Sequence, residues 1–136
     1  MVSVYEVRIG NRYIATPCFA FPTDGEITLE VSHVVRFARV QRDITQYLSG
    51  VPVTNDWLAK AGFVFSTAYA GSVHFELATL KSFMLMQGMG SPPWRISMHN
   101  AYARFYSQSQ GMLYVHQLQD AYQSLMGEPL PLPPAP

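Results

Sequence analysis

A chain of 136 residues is the size of one ordinary domain, long enough to bury roughly two thirds of the surface its unfolded form exposes and too short for a second catalytic domain. Hydrophobic residues at 49% and aromatics at 13% exclude a disordered chain, while charged residues at 13% are about half the usual share and leave a sticky surface. Nine basic residues balance nine acidic ones, so the bulk attraction of a nucleic-acid or anionic-membrane binder is missing, and the single cysteine, Cys18, excludes a disulfide framework and a Cys-rich zinc site.

From Val2 to Ile9 apolar and polar residues alternate as in a strand, and Gly10-Asn11 turns the chain into a second run from Arg12, which Pro17 ends. "PTDGE" at residues 22–26 is a reverse-turn signal. The following "EITLEVSHVVRFARV" is dense in β-branched and aromatic residues and predicts one long bent strand or two strands. "DITQYLSG" suggests a short helical turn. In "VPVTNDWLAKAG" a clearer helix is predicted, with Thr54 as N-cap, Asp56 in the first turn and Gly62 just past the end. "FVFSTAYA" and "VHFELATLKSFMLMQ" flank Gly71-Ser72 as an aromatic hairpin, "GMGSPP" breaks the chain, and "WRISM" and "ARFY" suggest further short strands.

The last ordered segment is "YVHQLQDAYQSLMG". Leu118, Tyr122 and Leu125 recur at helical spacing, Gly127 closes the helix, and His116 is expected on its flank, within reach of Asp120. The helix is read as a latch that closes the fold. Beyond it, "EPLPLPPAP" cannot continue a helix and is expected to be a solvated polyproline tail. The predicted architecture is therefore α+β, a mostly antiparallel sheet or partial small barrel with two short helices, the second closing the C-terminus. Residues 1–127 are expected to form a single domain and residues 128–136 the Pro-rich tail.

Three stretches, "VRIGN", "VPVTNDWLAKAGF" and "YVHQLQDAYQSLMGEPL", occur in an order that resembles a family of small uncharacterised proteins of phages and prophages, especially those of Bacteroidetes. The resemblance implies a genetic context. It carries no activity and no catalytic assignment.

No catalytic motif stands out. The histidines at 33, 74, 99 and 116 lack metal-ligand spacing, no serine or cysteine lies in a nucleophile motif, and "GMGSPP" lacks the third glycine and the helix start of a dinucleotide loop. The expectation is a non-enzyme without a cofactor or metal. Seven of the nine basic residues are arginine, whose planar fork suits phosphate and carboxylate, and Arg8, Arg12, Arg36, Arg39 and Arg42 all precede residue 43. Arg8, Arg12, Arg36, Arg39 and Trp94 are the candidate ligand-binding residues. On a regular strand Arg36 and Arg39 point to opposite faces, which favours as a pair Arg8 with Arg12, or Arg12 with a loop arginine.

The functional expectation is a phage-borne binding protein that sequesters a nucleotide-like host molecule or blocks a host (defence) protein. A small-barrel nucleic-acid binder is the alternative, and an unrecognised enzyme is the third reading. Self-association into a homo-oligomer through Met84, Met86 and Trp94 is expected from the low charge. No membrane is expected, since no window approaches ~18 apolar residues and the N-terminus lacks the basic flank and apolar stretch of a secretory signal. The expected location is the cytoplasm of the host cell.

Overall fold

The computed structural model describes residues 2–69, 72–78, 80–88, 94–99, 104–105 and 112–134. Their contacts gather into two compact units, one made of Met1–Pro52 with Tyr114–Pro136 and the other of Val53–Leu113.

In the first unit the alternation over Val2 to Ile9 does not give a strand. Val4–Glu6 is a 3-10 turn, held because the Ser3 hydroxyl accepts from the Tyr5 N–H at 3.3 Å and the Ser3 N–H donates to the Glu6 carboxylate at 3.0 Å. This reciprocal cap satisfies the turn's free backbone donors locally, and Val4 and Tyr5 are left exposed. Strands β1 (Arg12–Ala15), β2 (Gly25–Thr28) and β3 (Leu48–Gly50) form an antiparallel sheet in the order β2-β1-β3, with Tyr13 opposite Ile27 on one side and Gly50 on the other.

The β-branched run after the "PTDGE" turn is a strand only as far as Thr28. Val31–Arg39 is a helix, α1, against the predicted strand. The reason is tertiary. As a helix the segment places His33, Val34 and Phe37 on one side, against Phe21 and Tyr47, with Phe37 ring centroids 5.6 Å from Phe21 and 5.4 Å from Tyr47. The Glu30 N–H donates to His33 Nδ1 at 3.0 Å and starts the helix. Its end is a left-handed closure, in which the Gln41 N–H bonds the Ala38 carbonyl and the Arg42 N–H the Phe37 carbonyl, both at 3.2 Å, around Gln41 at φ 54°. The turn read in "DITQYLSG" is a 3-10 helix, Ile44–Tyr47, capped by Asp43.

The closing helix α3 (Val115–Met126) ends on Gly127 at φ 75° and buries Val115, Leu118 and Tyr122 as expected. Leu125 is not part of the buried face and is 41% exposed. The tail is anchored at Leu130, which is 5% exposed.

The second unit opens with α2 (Asn55–Lys60). Thr54 Oγ1 accepts from the Trp57 N–H at 3.1 Å, and Gly62 follows the helix at φ 94°, as its sequence predicted. The strands are β4 (Phe63–Tyr69), β5 (Ser72–Leu77), β6 (Leu80–Gly88), β7 (Trp94–His99) and the two-residue β8 (Arg104–Phe105), all antiparallel in the order β4-β5-β6-β7-β8. The run "VHFELATLKSFMLMQ" is thus two strands and not one.

The α+β class holds, and of the two arrangements expected the antiparallel sheet is the one found, as two sheets of linear strand order, with three α-helices among the described residues where two were expected. No described helix is long and apolar enough to cross a membrane. The "GMGSPP" loop from Met89 to Pro93 lies outside the described residues.

Candidate functional site

Two groups of side chains in the first unit carry the candidate arginines, and they are built differently. The first is a clasp between the segment Glu6–Tyr13 and the first half of α3. The Gln119 amide bridges the backbone, its Oε1 accepting from the Arg12 N–H at 2.8 Å and its Nε2 donating to the Gly10 carbonyl at 3.3 Å. Asn11 Nδ2 donates to Asp120 at 2.8 Å, and Asp120 also takes the Arg8 guanidinium at 3.2 Å. The stretches "RIGN" and "HQLQD" are therefore one structural joint.

His116 lies at the centre of this joint, 1% exposed, and not on the flank where it was expected. Its ring stacks on Tyr13 at 5.2 Å and on Tyr114 at 5.7 Å, and its Nε2 lies 3.2 Å from the Glu6 carboxylate. A carboxylate can only accept, so Nε2 carries the proton in this contact. Nδ1 is buried without a hydrogen-bond partner among the described residues. The Ser3 N–H, and then His116, hold the Glu6 carboxyl below its ordinary value. Burial raises Tyr13, whose hydroxyl donates to the Glu6 carbonyl at 2.6 Å and accepts from the Arg8 N–H at 2.9 Å.

Arg8 and Arg12 are both engaged. Arg12 is 6% exposed and paired with Glu26 at 3.0 Å, an arrangement that holds β1 to β2. Arg8 borders an open cleft of about 210 Å³ with Asp120, Gln123 and Ser124, where the Asp120 carboxylate offsets its charge. They do not form the paired anion fork that their spacing suggested.

The second group lies on α1. The offset of three that separates Arg36 and Arg39 on a strand brings them to one side of a helix, one turn apart. Both are exposed, and neither has a carboxylate partner among the described residues. Beside them run Val31 and Val35, 59% and 40% exposed. Beyond the left-handed Gln41, the Arg42 guanidinium sits 5.8 Å over the half-exposed ring of Phe19, which in turn packs on Phe37 at 4.8 Å. The helix C-terminus favours arginines in its last turn, which accounts for Arg36 and Arg39 in part. It does not account for solvent-facing valines, which are poor helix formers. Sequence reasoning missed Phe19, and only the helical reading of 31–39 reveals the valine row.

Trp94, the remaining candidate, belongs to the second unit and is 1% exposed. Its indole N–H donates to the Val53 carbonyl at 3.1 Å, and its backbone pairs with Met112. It is a core residue with no face for a ligand. Met86 is half-buried in β6, and the Met84 side chain lies outside the described residues. No group of three or more metal-ligating side chains occurs among the described residues. No protein-family model, curated protein or solved structure matches the chain.

Proposed function

We propose that this chain is a non-enzymatic binding protein that engages an anionic host molecule through the outer face of α1. The carrying observation is the pair Arg36 and Arg39, exposed, one turn apart and without a carboxylate partner among the described residues, beside the valine row. A guanidinium without an internal partner keeps its fork free for phosphate or carboxylate. Arginine beside apolar side chains is also the composition of protein-interface centres, which favours an acidic host protein as the target. The Phe19 ring capped by Arg42 favours a second reading, a nucleotide stacked there with its phosphates on the arginines. The resemblance of "VRIGN", "VPVTNDWLAKAGF" and "YVHQLQDAYQSLMGEPL" to phage and prophage proteins supports a mobile-element origin. In that setting the bound molecule is a defence protein or a nucleotide signal.

Native mass spectrometry of protein purified from its host tests this reading. The parent chain is expected to retain an added mass, either a partner protein or a nucleotide, and the double variant Arg36→Glu/Arg39→Glu is expected to lose it. Identical spectra for the two proteins sink the proposal.

A further inference from the structure

In the second unit one register row crosses the sheet. Phe65 of β4 lies opposite Phe75 of β5, Phe75 opposite Leu85 of β6, and Leu85 opposite Ile96 of β7. Exposure along this row is 2% at Ile96, 0% at Leu85 and 5% at Phe75, then rises to 55% at Phe65. The row is a finished core layer up to β5 and an open one at β4. The Phe65 ring meets Phe75 edge-on, with centroids 5.8 Å apart, and more than half of the residue stays exposed to solvent. On the opposite face of the same strand, Val64 is 56% exposed.

β4 is also the end of the sheet, pairing with β5 alone among the described residues. An edge strand offers a row of unpaired N–H and C=O groups and is usually blunted by lysine, proline or inward charge. "FVFSTAY" contains none of these. Its one blunting feature is the register shift between Phe65 and Thr67, a bulge of the kind that bends an edge away, and it leaves Phe63, Val64 and Phe65 in regular pairing with β5.

From the free edge and the interrupted row we infer that β4 pairs antiparallel with β4 of a second copy of this chain, with the two Phe65 rings as neighbours across a two-fold axis. Such a contact is isologous, so one strand supplies both sides. An uncharged strand meets its own copy without opposing like charges, whereas a foreign strand would find no charge in β4 to select it. The pairing extends the row Ile96, Leu85, Phe75, Phe65 into the second molecule and covers the ring that the single chain leaves in water. This surface replaces the Met84, Met86 and Trp94 patch, of which Trp94 is buried.

Sedimentation equilibrium of the full chain over a hundredfold range of concentration is the test. A species at twice the 15.3 kDa chain mass is expected at the upper end. Phe65→Lys and Val64→Lys are each expected to return the protein to the monomer, while Arg39→Glu on α1 leaves the dimer unchanged. Hydrogen exchange on the parent protein adds a measurement that needs no variant, with amides of β4 exchanging more slowly at high concentration than at low. A parent chain that stays monomeric throughout overturns the inference. So does a dimer that survives both lysine substitutions. A variant that has lost its far-ultraviolet circular dichroism is set aside, and the exchange of β4 then decides.

Discussion

Helices α1 and α3 belong to the same unit and use their surfaces in opposite ways. α3 buries Val115, His116, Leu118, Gln119 and Tyr122, an arc wider than its apolar residues alone would define. α1 buries Phe37 alone and leaves Val31 and Val35 in solvent. A helix that spends polar side chains on burial is holding the fold, and one that leaves apolar side chains outside has surface to spare. Arginine divides in the same way, with Arg12 enclosed against Glu26 and Arg36 and Arg39 open.

Truncating the anchors should produce the largest effects. Phe37→Ala removes the one buried side chain of α1 and is expected to cost about 3 to 5 kcal/mol, while Leu118→Ala on α3 is expected to cost about 2 to 5 kcal/mol. Urea denaturation of both variants measures this. A loss below about 1 kcal/mol for Phe37→Ala would mean that α1 is held by more than its single buried residue.

His116 sharpens the contrast, because the sequence assigned it to a flank. Its replacement by Ala removes a ring stacked between Tyr13 and Tyr114 and its bond to Glu6, and is expected to cost about 2 to 4 kcal/mol. His116→Phe retains the ring and removes the unpartnered Nδ1, so it should cost less than His116→Ala. Equal losses in the two variants would show that the Glu6 bond, and not the stack, carries the effect.

At the end of α1 the expected sign reverses. Gln41 occupies the left-handed region, where a side chain costs about 1 to 2 kcal/mol that glycine does not. Offset by the greater freedom of glycine when unfolded, Gln41→Gly is expected to stabilise by about 0.5 to 1 kcal/mol. Thermal melts resolve a change of this size. A destabilised variant would indicate that the Gln41 side chain makes a contact that outweighs its backbone strain.

Local chemistry was the legible part of the sequence. Thr54, Gly62 and Gly127 act at the helix ends where their side chains, or the lack of one, said they would. Val115, Leu118 and Tyr122 were visible as a face because helical spacing alone brings them together. What failed depended on partners distant in the chain. The valines of 31–40 favour a strand locally, and only Phe21 and Tyr47 make the helix the better burial of Phe37. His116 and Gln119 look like solvent-facing residues until Glu6, Gly10 and Arg12 supply their hydrogen bonds from more than a hundred positions away. The α1 surface was hidden for the same reason, since the strand reading separated Arg36 from Arg39 and gave the valines a core to fill.

The smallest expected effect is the pH response of the clasp, and its sign follows from Glu6. Bonds from the Ser3 N–H and His116 lower the folded-state pKa of Glu6 from an ordinary value of 4.5. A carboxyl whose folded pKa is depressed contributes stability that is fully present above the unfolded value and is lost as the pH falls through the folded one. Stability should therefore be insensitive to Glu6 above about pH 5 and decline below pH ~4.5 as the carboxylate takes up a proton. The Glu6 side chain is 37% exposed, so solvent screening keeps the contribution small. In Glu6→Gln this component of the acid decline is absent, and the melting temperatures of variant and parent should converge as the pH drops from 5 to 3. α1 offers the control, because Arg36→Gln changes no depressed carboxyl and its melting curve should run parallel to the parent's over the same range. Parallel curves for Glu6→Gln would show that Glu6 titrates alike in the folded and unfolded chain, and that the stacking of His116, rather than its bond to Glu6, is what closes the clasp.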